Sequence, residues 1–166
     1  MTDSHILDTA ISCVSHVASR GSHQGSSRER DLAILAISAG QAIAPPEMGW
    51  PYTLDYLVDL ASTAASWAWD VGRYAGVEEV WDAVRAEYDR ADDLRYGMTP
   101  LNPAIGEQDR AAILLEEIGE VARVLVPDAR TATGRAGNLC DELLRVAAMA
   151  LAWLTHVLRN LQEGVW

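Results

Sequence analysis

Four glutamates stand among apolar residues in the second half of the chain, where an acidic side chain needs a partner. Glu116, Glu117 and Glu120 lie close together on one predicted helix, and Glu142 extends the apolar stripe of a second helix by one turn. Residues three and four positions apart are neighbours on a helix, so the first three acids can converge on one point. A buried carboxylate without a partner is costly, and it is therefore paired, protonated or bound to a metal.

The chemistry of these acids allows two interpretations. Carboxylate oxygens without histidine or cysteine favour Mg²⁺ or Mn²⁺, which predicts a metal site. Glutamates on helices are more often a solvated face, and the spacing alone leaves this second interpretation open. Asp141, next to Glu142, is best explained as a helix-cap residue.

The spacing of apolar residues predicts an all-α fold. Apolar positions recur at helical spacing, and strand alternation is nowhere sustained. Thr53 and Asn138 are of the residue types that cap helix N-termini, and they stand where the third and last helices are predicted to begin. The predicted helices cover residues 4–19, 28–43, 53–73, 77–94, 108–126 and 138–162.

The chain contains an internal repeat. AILAISAGQAI at 33–43 aligns with AILLEEIGEVA at 112–122, and LVDLASTAASW at 57–67 aligns with LLRVAAMALAW at 143–153. Two matching blocks in the same order favour a duplication over a chance match between Ala-rich helices. Each predicted unit consists of an amphipathic helix, a loop, a helix, a short loop and a long helix.

Only the second of the two predicted units, 1–75 and 76–166, carries the acids. At the position aligned with Arg145 the first unit keeps one acid, Asp59, which is predicted either to pair with an arginine or to face solvent. The first unit therefore cannot hold the same metal cluster. Glu116, Glu117, Glu120 and Glu142 align in order with Ile37, Ser38, Gln41 and Tyr56.

The acids and their surroundings resemble a known enzyme family. Glu116-Glu117-x-x-Glu120, followed after 21 residues by Glu142, resembles the EExxE…ExxD signature of the MazG-like nucleoside triphosphate pyrophosphohydrolases. RYGMTPLNPAIGEQDRAAILLEEIGEVARVL and DELLRVAAMALAWL, at 95–125 and 141–154, are similar to the phage and actinobacterial branch of that family. The first half of the chain is linked to this family only through its alignment with the second half in the internal repeat.

The resemblance implies an all-α enzyme, usually dimeric, that hydrolyses a nucleoside triphosphate, often a deoxynucleotide, to monophosphate and pyrophosphate. By position, Glu116, Glu117, Glu120 and Glu142 would hold Mg²⁺, or Mn²⁺, and Glu117 or Glu120 would orient the attacking water. Since only one unit carries the acids, we expect the tandem repeat to fold as a MazG-like intramolecular pseudo-dimer. Such a chain can be a monomer or can form a homodimer.

Three arginines are candidates for contact with substrate phosphates. Arg145 stands where the motif has aspartate. It could weaken metal binding by repulsion, or bind a phosphate through its planar fork, and both possibilities stay open. Arg95 and Arg110 flank the loop before the EExxE helix, although surface arginines are at least as common there. Trp153 fits a core position better than a base-stacking role.

The formal net charge of −11 argues against nucleic acid and anionic membranes as partners. No apolar run is long enough to span a bilayer, and the N-terminus lacks a signal-peptide pattern, so we expect a cytoplasmic protein. Cys13 and Cys140 match no ligand spacing and are expected to be reduced thiols. A non-catalytic nucleotide-binding or regulatory protein and a purely structural helical module are the competing functions.

Overall fold

All described secondary structure is α-helical, as the sequence predicts. The computed structural model describes residues 3–20, 28–42, 50–72, 74–93, 102, 104–125 and 138–164, and this part of the chain contains no strand. Among these residues, no helix is both long and apolar enough to cross a membrane. The helices are α1 (Asp3–Arg20), α2 (Arg28–Ala42), α3 (Trp50–Gly72), α4 (Val77–Asp93), α5 (Glu107–Leu125) and α6 (Leu139–Glu163).

The helix ends confirm one predicted cap and correct another. The Cys140 N–H donates to Asn138 Oδ1 at 3.2 Å, so Asn138 caps α6, and Gly164 closes that helix with a φ of 65°. Thr53 was predicted to cap α3, but α3 already begins at Trp50 and this prediction is wrong. Pro51 lies in the first turn, where a residue without an N–H is tolerated, so the helix begins one turn earlier than predicted.

The two long helices α3 and α6 form the centre of the fold and make the most extensive contact between any two described helices. Residues 60–68 of α3 and 146–155 of α6 are all buried, so both helices are surrounded in these stretches. Many of these side chains are alanines, whose small size lets helices approach closely. Buried residues of all six helices belong to one continuous hydrophobic core.

The other four helices surround this pair in a matched pattern. Helix α2 packs on α3 as α5 packs on α6, and α1 packs on α3 as α4 packs on α6. Helix α1 also contacts α6, as α4 contacts α3, while α2 meets α5 and α1 meets α4. An ion pair between Arg85 and Asp8 joins α4 to α1. Each of these extensive contacts made by α1–α3 therefore has a counterpart in α4–α6.

Candidate functional site

Glu142 lies in the first turn of α6, directly after the cap. Its backbone N–H donates to the Asn138 carbonyl at 3.1 Å, and its side chain turns into the core, where the residue is only 3 % exposed. Arg145, one turn later on α6, donates from Nη1 to Glu142 Oε2 at 2.7 Å. The buried carboxylate is thus paired, as the sequence argument requires.

Glu117 faces this pair from α5 and is half-buried. Burial is the largest influence on its carboxyl and raises its pKa to about 7. The charge of Arg145 acts in the opposite direction, whereas Glu142, Glu116 and Glu87 raise the pKa further. Glu117 and Glu142, which the motif places 25 positions apart, therefore interact across the α5–α6 interface.

Glu87 of α4 belongs to the same group, although the sequence analysis did not select it. Arg90 Nε donates to Glu87 Oε2 at 2.8 Å, and a second bond joins Arg90 Nη2 to Glu87 Oε1. Arg145 Nε lies 3.5 Å from the same Oε1. Arg90 also interacts electrostatically with Glu117. We call these five residues the acid–arginine cluster: Glu87, Arg90, Glu117, Glu142 and Arg145.

The other two predicted ligands border this cluster. Glu116 is exposed and acts on Glu117 through its charge. Glu120 Oε2 accepts a hydrogen bond from the exposed Arg123, one turn later on α5, at 2.6 Å. Two of the four predicted ligands therefore meet in the acid–arginine cluster, and two lie at its edge.

Arg110 lies at the other end of α5, seven residues or ~10 Å before Glu117. Its side chain is 1 % exposed, so it is not a surface arginine. The guanidinium donates to the carbonyls of Ile105 at 2.7 Å and Asn102 at 2.9 Å, and to Glu107 at 3.1 Å. These bonds tie the preceding loop to α5. Arg95, also predicted to contact phosphate, lies outside the described residues.

Trp153 and His156 of α6 form a second polar group together with Arg110 and Glu107. Trp153 is buried in the core, as expected, and its Nε1 donates to Glu107. His156 Nδ1 lies 3.3 Å from Arg110 Nη2. Burial is the largest influence on Glu107 and raises its pKa, but hydrogen bonds with His156 and Trp153 and the charge of Arg110 outweigh it, so the net pKa is lowered.

The first half of the chain lacks an acidic counterpart at the aligned positions. Ile37 and Gln41 are exposed, Ser38 is buried and Tyr56 is half-buried. Asp59, aligned with Arg145, is exposed, which agrees with the predicted solvent-facing alternative.

The acid–arginine cluster has the donor chemistry of a magnesium site, but two of its three acids, Glu87 and Glu142, are already paired with arginines. Its three carboxylates supply only oxygen donors and, when ionised, outnumber the two guanidinium charges. In the described part of the chain, no group of three or more Asp, Glu, His or Cys side chains is placed to hold one ion. Arg145 forms an ion pair with Glu142, and Arg123 forms one with Glu120 at the edge of the cluster. The donor set fits Mg²⁺ in the chemistry of its oxygens, but the described residues do not place these oxygens around one ion.

No protein-family model matches the sequence, and no curated protein or solved structure matches it significantly. The resemblance to the MazG-like enzymes therefore depends on the motif residues themselves, and on where the fold brings them.

Proposed function

We propose that this protein is a magnesium-dependent nucleoside triphosphate pyrophosphohydrolase, acting on a deoxynucleotide or a noncanonical nucleotide. The proposal rests on one observation: Glu117 of α5 and Glu142 of α6 interact electrostatically in a partly buried cluster. The motif assigns both residues to metal binding, and they interact only because α5 and α6 pack together. Arg145, which is paired with Glu142, keeps 38 % of its side chain exposed and could bind a phosphate.

Each residue has a definite part in the proposed reaction. Glu116, Glu117, Glu120 and Glu142 would hold Mg²⁺, or Mn²⁺. When bound, the metal would bind the phosphate chain and lower the pKa of a water that attacks the α-phosphorus. Without a cation the pKa of Glu117 is about 7, so Glu117 is suited to orient that water if it does not itself bind the metal. Arg145 would bind a phosphate oxygen through its exposed donors.

We further infer that the chain is a MazG-like tandem repeat folded as a pseudo-dimer, with units at 1–75 and 76–166. The matched contacts of α1–α3 and α4–α6 around the α3–α6 pair support this inference. In such an arrangement the first unit supplies partner helices, as a second protomer would, and the second unit carries the single site. A monomer would then be sufficient for activity on nucleotides of the cytoplasm.

A non-catalytic nucleotide-binding protein is the second candidate. The observation that favours it is the bond of Arg145 to Glu142, whose side chain is only 5 % exposed. An arginine that stays on this carboxylate keeps a divalent cation away from it. The protein would then bind nucleotide phosphates through its arginines and leave them intact.

Pyrophosphate release across a panel of nucleoside triphosphates, with and without Mg²⁺, tests the proposal. We expect Mg²⁺-dependent release from at least one nucleotide, and loss of turnover in Glu120→Gln with an unchanged helical circular-dichroism spectrum. Glu78→Gln, an exposed acid on α4, is the matched control and should keep full activity. Retained activity in Glu120→Gln would remove that residue from the site.

The same panel separates the two candidates. Thermal stabilisation by a nucleotide without turnover would favour the non-catalytic protein. The absence of any response to nucleotide or metal would contradict both candidates and leave the structural helical module.

A further inference from the structure

His156 of α6 lies between a cation and an anion of α5. Only 11 % of its side chain is exposed. Its Nδ1 lies 3.3 Å from Arg110 Nη2, and its Nε2 lies 3.5 Å from Glu107 Oε1 and 3.0 Å from Asn160 Nδ2. Arg110 and Glu107 also pair with each other, with 3.1 Å between Nη1 and Oε1. One imidazole ring therefore contacts both members of this ion pair.

These contacts determine which ring nitrogen of His156 carries the hydrogen. A guanidinium has only donors, so Arg110 Nη2 donates to Nδ1, and Nδ1 must be an acceptor. A neutral imidazole has one acceptor and one donor nitrogen, and its hydrogen is therefore on Nε2. Glu107 Oε1 is an acceptor for this Nε2–H, and the Asn160 amide becomes one by a half-turn that brings its oxygen to the ring. The arrangement thus fits neutral His156 in a single tautomer.

The charged form of the ring does not fit the same arrangement. Both nitrogens of a protonated imidazole are donors, so an Nδ1–H would face the donors of Arg110 across 3.3 Å. The ring would also bring a second positive charge to a guanidinium that is only 1 % exposed and therefore poorly screened by solvent. The Nε2–H keeps its acceptor in Glu107 and forms an ion pair with it. Protonation therefore keeps the contact with Glu107 and breaks the one with Arg110.

Few other charges reach this ring. Among the described residues, Glu107 and Arg110 are the charged side chains bonded to His156, and Asp109 acts on Arg110 through its charge. Arg159, three positions later on α6, is a neighbour by helical spacing and adds positive charge. The stretch of α3 buried against α6, 60–68, has no ionisable side chain. Each described charged residue of α1 and α4, the other helices that pack on α6, is exposed or bonds to another side chain.

Arg110 also holds the turn before α5, which among the described residues consists of Asn102, Ala104, Ile105 and Gly106. Its Nη2 donates to the Asn102 carbonyl at 2.9 Å, and its Nη1 donates to the Ile105 carbonyl at 2.7 Å. The Asn102 carbonyl also accepts the Ile105 N–H at 3.4 Å, the bond that closes the turn. The nitrogen that donates to His156 therefore also holds the carbonyl that closes the turn. A shift of Arg110 away from the ring loosens both bonds.

We propose that His156 is a pH-sensitive switch in the fold: its protonation displaces Arg110 and opens the turn before α5. In alkaline solution the neutral ring accepts from Arg110, and the turn is closed. In mildly acidic solution the charged ring pairs with Glu107 alone, and Arg110 releases the Asn102 carbonyl. The inference does not depend on the proposed enzymatic activity, although the turn leads directly into the helix that carries Glu117.

The tautomer of His156 in the wild-type protein is the first test. Ring ¹⁵N chemical shifts, followed by NMR between about pH 8 and about pH 5, report which nitrogen carries the hydrogen and when the other one gains it. We expect the Nε2–H tautomer at the alkaline end, because Arg110 donates to Nδ1. A neutral ring with its hydrogen on Nδ1 would overturn the proposal, and this measurement needs no variant.

Amide hydrogen exchange over the same pH range is the second test. The protection factor of the Ile105 N–H should fall about tenfold as His156 becomes charged, which is the effect of losing one hydrogen bond to a charged group. The amide of Ala150, buried in the middle of α6, reports opening of the whole fold, and its protection should not follow that of Ile105. A fall at Ile105 alone therefore measures local opening of the turn.

Two variants assign the effect to His156. In His156→Gln the amide oxygen can accept from Arg110 and the amide nitrogen can donate to Glu107, but the side chain does not titrate. Protection of Ile105 should then stay constant with pH. His5→Gln removes an exposed histidine of α1 and should keep the wild-type change. Glu117, with a pKa of about 7, is present in both variants, so its titration cannot cause a difference between them.

The exchange data have three clear outcomes. A fall in Ile105 protection in the wild type and in His5→Gln, but not in His156→Gln, would support the switch. Constant protection of Ile105 while His156 titrates in the wild type would mean that the charged ring leaves Arg110 in place, and would overturn it. An equal fall in the wild type and in His156→Gln would assign the opening to another group and would overturn it as well.

Discussion

Replacing Glu117 with glutamine should stabilise the protein at neutral and alkaline pH when divalent cations are absent. The Glu117 carboxyl has an ordinary pKa of 4.5 in an unfolded chain and a pKa of about 7 in the fold. As pH rises, the unfolded chain therefore releases this proton first, and ionisation favours unfolding. The resulting loss of stability begins above pH 4.5, grows up to about pH 7 and is constant beyond it. Glutamine carries no charge and escapes this cost.

The magnitude follows from the difference between the two pKa values. At about 1.4 kcal/mol for each pH unit, the cost of ionising Glu117 in the fold is at most about 3.5 kcal/mol. The side chain is only half-buried, and solvent screening reduces this to about 1–2 kcal/mol. For a chain of this size, that corresponds to a rise in Tm of about 2–8 °C.

Thermal melts of wild type and Glu117→Gln in a chelating buffer, at pH 5 and at pH 8, measure the effect. The gain should be present at pH 8 and small at pH 5. Glu116→Gln removes the neighbouring, exposed acid and should change stability by less than about 0.5 kcal/mol at either pH. An equal gain at both pH values, or a glutamine variant less stable than the wild type at pH 8, would refute the argument from burial.

Three further predictions concern the polar group around Arg110. Arg110→Gln should cost about 3 kcal/mol in urea denaturation, because it removes the buried guanidinium that pairs with Glu107 and with the carbonyls of Asn102 and Ile105. Arg123→Gln, at an exposed arginine on the same helix, should cost less than about 0.5 kcal/mol. Equal costs would contradict the burial of Arg110. Glu107→Gln should destabilise the protein at pH 7, because the pKa of Glu107 is lowered in the fold and its ionised form is stabilised there. The difference in stability between the variant and the wild type should disappear as pH falls well below 4.5. A difference that persists in acid would point to packing instead. Trp153→Phe should cost about 1 kcal/mol through the lost hydrogen bond to Glu107, in addition to the cost of the smaller ring. The hydrogen-bond part of that cost should disappear in a Glu107→Ala background, which has no acceptor.

Of the acids that helical periodicity places on apolar stripes, Glu117 and Glu142 interact in the fold, whereas Glu120 pairs with the exposed Arg123. Glu142 extends the stripe of Val146 and Met149 by one turn towards the start of α6, and it is buried as that pattern predicts. The same signal exists for Glu87, which lies three positions after Val84 on the buried face of α4. The motif has no acid on that helix, and Glu87 gains its role only from the packing of α4 against α6.

The burial of Arg110 could not be predicted from its residue type and its position in the sequence. Its position beside a loop suggests an exposed cation, but its guanidinium binds the carbonyls of Asn102 and Ile105. Those carbonyls are available only because the loop turns back on the start of α5, and this conformation has no periodic pattern. Ion pairs between helices, such as that of Arg145 with Glu87, also cannot be predicted until the packing of the helices is known.

The proposed duplication explains why the two halves agree at some aligned positions and differ at others. In a symmetric dimer of identical chains every site occurs twice, and a change in one unit is a change in both. Fusing two units removes this constraint, so one half can lose its acids while the other keeps them. The packing positions have no such freedom, because α3 and α6 bury them against each other and both halves must fill one core. Accordingly, in the block that aligns α3 with α6, the pairs that agree are all buried: Leu57 with Leu143, Ala61 with Ala147, Ala64 with Ala150 and Trp67 with Trp153.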